Sequence, residues 1–261
     1  MSLIALAWKH YPHYPLMILS NRDEYRNRPT EILQRWETQP ALYAGKDLKS
    51  GTTWLGITET GRFGALTDFH RHIETDGPHS QSRGKLLLNY LLGDLDPESF
   101  LKQTRSQRKK ALPFNMLVGD RNQLFYCCSV SNIEEELSPG IHSLSDYFMD
   151  TPMPKGRYLQ KQLEKRMIDD LLTNAEREEL FDLLARPMRF PDEELPRRGY
   201  DVRVERERSP VFLDLGDYGT VSSAVLTIDH TDQVIFSERS HQPQQPHSTH
   251  TLEFKLIKPD L

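Results

Sequence analysis

Short apolar runs of strand length, set in two groups on either side of a helical middle, constrain this chain more than any other feature. In the first third, Leu3 to Trp8, Pro15 to Leu19, Trp54 to Ile57 and Phe63 to Thr67 are parted by turn-forming sequence. Runs of this kind, too short for a core helix and bounded by Gly, Pro, Asp and Ser, read as strands. Ser82 then stands as an N-cap before the apolar positions of Lys85 to Leu92, which recur at helical spacing until Gly93-Asp94 stops them. A second helix is predicted from Pro97 to about Arg105. Phe114 to Gly119, Leu124 to Val130 and Ile141 to Leu144 return to strand patterns. Pro154 to about Met167 and Asn174 to about Ala185 are amphipathic helices with one face to bury. Val221 to Ile228 and Gln233 to Glu238, joined by Asp229-His230-Thr231-Asp232, form a hairpin, and one more strand is expected over Thr251 to Ile257. Strands, then helices, then strands again favour helices packed on antiparallel sheets.

Composition narrows the class further. A chain of 261 residues lies within reach of one core, and no internal repeat or boundary marks a second, so a single domain over 1–261 is expected. With 33 basic and 38 acidic residues the net charge is −5, so the chain as a whole offers no field for nucleic acid. Cys127 and Cys128 are neighbours in a strand pattern, pointing to opposite faces, which disfavours a structural disulfide and fits a thiol-reducing compartment. No apolar run approaches the roughly 18 residues of a membrane span. The expectation is a soluble, cytoplasmic protein.

Three places carry chemically useful residues. Ser2 leads the first strand; removal of Met1 would leave its hydroxyl beside an α-amine, whose ordinary pKa of about 7.7–8.0 suits a general base. Asn21-Arg22-Asp23-Glu24 follows the apolar run ending at Leu19 and groups amide, guanidinium and carboxylates, the equipment for orienting an amine or an oxyanion; a polar surface turn is the plain alternative. Thr67-Asp68 and Ser145-Asp146 each end a short apolar run, placed either to enter a shared cleft or to cap turns. His10-x-x-His13, His70-x-His72 and the tail histidines His241, His247 and His250 form no metal signature, Gly61-x-x-Gly64 is no dinucleotide fingerprint, and Arg105 to Lys110 reads as a solvated face. No cofactor and no metal is called for. Arg186 to Arg208, rich in Pro, Arg and Glu, is expected to be a long exposed loop, a candidate lid or interaction segment.

With these residues in place the sequence resembles the NRDE family, whose eukaryotic members are the transport and Golgi organisation proteins. The resemblance rests on Asn21-Arg22-Asp23-Glu24-Tyr25 with Arg28-Pro29, Ala44-Gly45-Lys46-Asp47-Leu48 running to Thr53-Trp54-Leu55-Gly56, and Gly61-Arg62-Phe63-Gly64-Ala65-Leu66-Thr67. It continues through Phe114-Asn115-Met116-Leu117-Val118-Gly119-Asp120, Leu144-Ser145, Thr151-Pro152, Tyr218-Gly219-Thr220 and Phe236-Ser237-Glu238-Arg239. It implies an α+β fold, a four-layer αββα sandwich of two antiparallel sheets flanked by helices, as in N-terminal nucleophile hydrolases. It places Ser2 where the family usually has cysteine, with Arg22 and Asp23 beside it to hold the α-amine and Asp68 and Asp146 around the oxyanion; the catalytic candidates are thus Ser2, Asn21, Arg22 and Asp23, and the binding candidates Glu24, Trp54, Asp68 and Asp146. The implied activity is hydrolysis of an amide or thioester in a cleft near residue 2. Asp68, Asp146 and Val221 stand where the family commonly has two asparagines and an arginine, and an ionised carboxylate cannot donate to an oxyanion. Those departures favour the alternative, a trafficking or carrier protein that binds a hydrophobic ligand such as haem or an acyl-lipid without turning it over.

Overall fold

The computed structural model describes residues 2–69, 81–131, 133–166, 168, 170–197, 199–242 and 248–257. Met1, His70, His72 and His247 lie outside the described residues. In chain order the strands and helices are β1 (Ser2–Tyr11), β2 (Tyr14–Tyr25), β3 (Thr30–Trp36), β4 (Leu42–Asp47), β5 (Leu55–Thr58), β6 (Phe63–Asp68), α1 (Arg83–Leu91), α2 (Pro97–Arg108), β7 (Phe114–Gly119), β8 (Leu124–Cys128), β9 (Glu134–Glu136) and β10 (Gly140–Leu144). There follow α3 (Pro154–Glu164), α4 (Asn174–Leu184), α5 (Val202–Glu207), β11 (Asp214–Leu215), β12 (Tyr218–Ile228), β13 (Gln233–Ser240) and β14 (Thr249–Lys255). The strands form two seven-stranded sheets, ordered β10-β1-β2-β12-β13-β14 with β11 on β12, and β3-β4-β5-β6-β7-β8-β9. The pairings described within them are antiparallel. This is the α+β class that the resemblance implies.

The chain clusters into two compact units, each assembled from three segments. The first holds Met1–Arg28, Pro139–Ser145 and Met149–Thr251; the second holds Pro29–Ser138, Asp146–Phe148 and Leu252–Leu261. In the first unit, alternation along β1 and β2 sends Leu3, Ala5, Ala7, Met17 and Leu19 to one face. There they meet Leu159 and Leu163 of α3 and Leu180, Phe181 and Leu184 of α4, residues spaced so that each helix presents a single stripe. Each Leu, Met or Phe so buried contributes about 1.5–3 kcal/mol. A capping box starts α4: Glu176 N donates to Thr173 Oγ1 at 3.3 Å, and Thr173 N donates to Glu176 Oε2 at 2.8 Å.

In the second unit, Leu42, Ala44, Leu66, Met116 and Val118 from the strands pack with Leu87, Tyr90 and Leu91 of α1 and Phe100 and Leu101 of α2. Ser82 caps α1 through Lys85 N at 3.3 Å, as the sequence predicts, and Asp96 caps α2 through Ser99 N at 2.9 Å with Pro97 following it. Gly64 lies beneath α1, where a Cβ would come within 2.7 Å of Leu87 Cδ1 and 2.8 Å of Leu117 O. The glycine is therefore a packing requirement of the strand, not part of a phosphate loop.

Three sequence readings need correction. Asn21 to Glu24 is no turn: β2 runs on through Tyr25, because β1 and β12 continue to pair with it on either side. The segment Arg186 to Arg208 is not a featureless loop. It contains a 3-10 turn at Asp192–Glu194 and the short helix α5, tied together by Arg206 Nε on Asp192 Oδ1 at 2.6 Å, and Phe190 N donates to Ser209 Oγ at 3.0 Å. Arg105 to Lys110 is more than a solvated face, since Arg105 and Arg108 both reach Glu134, and Arg108 is buried. The strands β3 and β4 lack clean alternation and are not evident from the sequence. No helix among the described residues is long and apolar enough to cross a membrane.

Candidate functional site

The first unit gathers the N-terminal candidates at one end of β1, β2 and β12. Register pairs Ser2 with Arg22, and Arg22 in turn with Ser222. Asn21 stands between Leu3 and Ser223, and Asp23 opposite Thr220. Val221 is the extra residue of a bulge in β12, and its carbonyl accepts from His241 N at 2.9 Å. Asn21, Arg22 and Asp23 are all buried, and alternation puts Asn21 on the face of Met17 and Leu19 while Arg22 takes the opposite one. Four successive polar residues therefore do not converge on one point.

Asn21 is held by three hydrogen bonds. Its Nδ2 donates to Leu184 O at 2.9 Å and to Val211 O at 2.8 Å, and its Oδ1 accepts from Ser223 Oγ at 2.6 Å. Both amide hydrogens go to backbone carbonyls, one at the end of α4 and one just before β11, so this side chain stitches a strand to the elements above it. Ser223 Oγ also lies 2.9 Å from His241 Nε2. A hydroxyl has one proton, and Ser223 gives it to Asn21, so His241 Nε2 is the donor in the second bond. A relay running His241 to Ser223 to Asn21 has the wrong direction to activate Ser223 as a nucleophile.

Asp23 Oδ1 accepts from Thr220 Oγ1 at 2.7 Å, and Thr220 Oγ1 accepts from Leu213 N at 2.9 Å. Tyr218 OH donates to the carbonyl of Asp23 at 3.0 Å. Glu24 is turned to local use: its Oε1 accepts from Tyr25 N at 2.8 Å, and Oε2 is 3.5 Å from Arg28 Nε.

The second unit holds Trp54, Asp68 and Asp146. Trp54 precedes β5, half-buried, with its carbonyl accepting from Leu66 N at 2.8 Å. Asp68 ends β6 opposite Phe114 and forms an ion pair with Arg83, the first residue of α1. Asp146 is almost fully buried, at 1% exposure. The residues next to these two acids, Thr67 and Tyr147, are linked through Asn115, which is not among the sequence candidates. Fully buried in β7, Asn115 donates Nδ2 to Thr67 Oγ1 at 3.1 Å and to Tyr147 O at 2.8 Å, while its Oδ1 accepts from Tyr126 OH at 2.8 Å. Beside it Phe69 stacks on Tyr147 with centroids 5.3 Å apart and meets Phe148 edge-on at 4.9 Å. The sequence signal for Asn115 is a lone amide in the apolar run Phe114 to Val118; Thr220, Ser223 and His241 give none, because only tertiary pairing brings them to Asn21 and Asp23.

Among the described residues no group of three or more His, Cys, Asp or Glu is placed to hold a metal ion. His13 and His230 bring their rings to 4.9 Å, edge to face. Cys127 and Cys128 are free and buried, and burial pushes the Cys127 thiol up to about 12, which silences it as a nucleophile at neutral pH.

Two antiparallel sheets with flanking helices give the chain a fold of the N-terminal nucleophile hydrolase-like class. Solved structures bear out the fold: a point mutant of the conjugated bile acid hydrolase from Clostridium perfringens matches with a TM-score of 0.52 over 99% of both chains at 10% identity, and a second variant of that enzyme matches with the same TM-score and coverage at 11% identity. Within that class the chain belongs to the Transport and Golgi organisation 2 family, whose family model matches residues 1–243. It is 29% identical to the Transport and Golgi organization 2 homolog of Mus musculus over 264 residues, 93% of each chain. It is 24% identical to Transport and Golgi organization protein 2 of Drosophila melanogaster over 253 residues, 90% of this chain and 89% of that one.

Proposed function

We propose that the chain is a binding protein of the transport and Golgi organisation type, carrying a hydrophobic small molecule such as an acyl-lipid or haem near residue 2 rather than hydrolysing it. The observation that carries this reading is the hydrogen bonding of Asn21, whose donors and acceptor are all engaged by Leu184, Val211 and Ser223. An oxyanion site needs donors held ready and unspent. Asp68, standing where the family commonly has asparagine, is an ion-paired carboxylate, and an ionised carboxylate cannot donate to an oxyanion. Val221 supplies no cation at the β12 bulge. The relatives' own names speak of transport and Golgi organisation, which fits carriage better than turnover.

A second reading keeps the chemistry. Ser2 would attack an amide or thioester, its freed α-amine would take the proton, and Arg22 and Asp23 would orient that amine. The register that pairs Ser2 with the buried Arg22 is the observation favouring it. One experiment separates the two: the purified chain is titrated with haem and with a fluorescent fatty-acyl probe, and intact mass is recorded alongside. Carriage predicts saturable, stoichiometric binding whether or not Met1 is retained. Absence of any saturable signal for both probes, with Met1 removed and an acyl adduct on residue 2, would overturn it in favour of the hydrolase.

A further inference from the structure

A cleft of about 210 Å³ lies in the second unit between the end of α1 and the face of α2, and none of the candidate site residues lines it. Its lining includes Arg62, Asn89, Asp94, Phe100, Gln103 and Gln107. We propose that this cleft binds a small zwitterion of the free amino-acid class, with its carboxylate on Arg62 and its ammonium on Asp94.

Arg62 is the anchor. Its Nε and Nη2 both donate to Tyr90 O, at 3.1 and 2.7 Å, and its guanidinium carbon lies 4.3 Å over the Tyr90 ring. Clamped along one edge and stacked on one face, the guanidinium keeps its end-on edge, Nη1 with the outer hydrogen of Nη2, for another acceptor. Two parallel N–H groups on a fixed plane match a carboxylate, and fixing them beforehand lowers the entropy lost on binding. Among the described residues no carboxylate forms an ion pair with Arg62, and Asp94 is equally without a cationic partner there. The cleft thus has in its lining one cation and one anion that form no ion pair with each other, which is the charge pattern of a zwitterion's complement.

The remaining lining agrees in size and polarity. Phe100 supplies an apolar floor, and Gln103 and Gln107 follow it at helical spacing, so all three share one stripe of α2. The amides of Asn89, Gln103 and Gln107 have no hydrogen-bond partner among the described residues and so can donate and accept toward a ligand's polar side chain. Sites for larger organic ligands run to about 300–1,000 Å³. A smaller cleft suits a metabolite of amino-acid dimensions.

The test titrates the full chain separately with L-glutamine, L-serine and L-leucine, read by calorimetry and by backbone amide NMR shifts. At least one is expected to bind saturably in the millimolar range or tighter, moving the amides of Gly93, Asp94 and Gln103. Replacing its carboxylate by a carboxamide, or making Asp94→Asn, is expected to weaken it about tenfold or more, the worth of one charge-assisted hydrogen bond. Asp94 is exposed, so Asp94→Asn tests the cleft without disturbing the fold, whereas Arg62→Gln also removes the clamp on α1. Three flat titrations would overturn the proposal. So would binding indifferent to both the carboxamide and Asp94→Asn, or acetate binding as tightly as the amino acid.

Discussion

Among the described residues each unit contains one fully buried asparagine in an interior strand, and the two are put to the same physical use in very different sequence settings. Asn21 in β2 and Asn115 in β7 each spend both amide hydrogens and the carbonyl oxygen on three partners. Asn21 joins its strand to two backbone carbonyls and to Ser223; Asn115 joins Thr67 of the neighbouring strand to the Tyr147 carbonyl and takes a third bond from a tyrosine. The first sits in the motif that reads as catalytic, and the second in a run that reads as core. Their equivalence teaches that a conspicuous polar motif at a strand end is not by itself a reactive site. What separates a structural amide from a catalytic one is whether its donors remain unspent.

Breaking the two asparagines gives the largest expected effects. Asn115→Ala and Asn21→Ala should each destabilise the chain by about 3–5 kcal/mol, the sum of lost hydrogen bonds and buried partners left unsatisfied. Urea unfolding measures both; an Asn21→Ala variant as stable as the parent would remove Asn21 from the structural class. A step down in size, Glu134→Gln should cost about 1–2 kcal/mol near neutrality. Arg105 and Arg108 hold the Glu134 carboxyl below its usual range, Arg105 foremost. A carboxyl whose folded pKa is depressed adds stability above its unfolded value of about 4.3, and that stability is lost as pH falls through the lower folded value. The parent and Glu134→Gln curves should therefore converge in acid, and a constant gap down to about pH 2 would refute the linkage.

Asp68→Asn should cost only about 1 kcal/mol or less, since the Arg83 and Asp68 side chains are 34% and 27% exposed and water screens the pair. A loss comparable to that of Asn115→Ala would show Asp68 to be as central as the asparagine. The smallest effect is expected at Cys127: with its thiol pushed up to about 12, it should resist alkylation at mildly alkaline pH until the chain unfolds. Mass spectrometry after a timed exposure to iodoacetamide checks this, and rapid labelling of the folded chain would contradict it.

Much of the fold is legible in the sequence because period and punctuation agree. The apolar cluster after Ser82 is α1 with the expected cap, and Phe114 to Gly119 is β7 to the residue. Composition hides β3 and β4, where polar side chains sit on both faces of short strands, and the extension of β2, where pairing with β1 and β12 overrides the polar character of Asn21 to Glu24. The helix α5 lies in a charged stretch and is hidden for the same reason; tertiary ion pairs such as Arg206 with Asp192 fix it. At the candidate site, the sequence shows which residues are unusual but not how they are spent. The bonds from Thr220, Ser223 and His241 join residues far apart in the chain or rest on a bulge at Val221, and no local pattern encodes them.

Carriage without turnover can be read out by incubating the chain with a molar excess of an acyl thioester and quantifying both bound ligand and released thiol over time. One intact ligand is expected to be recovered per chain, with no thiol beyond the buffer blank. Thiol released in many-fold excess over protein, and abolished by Ser2→Ala, would contradict it.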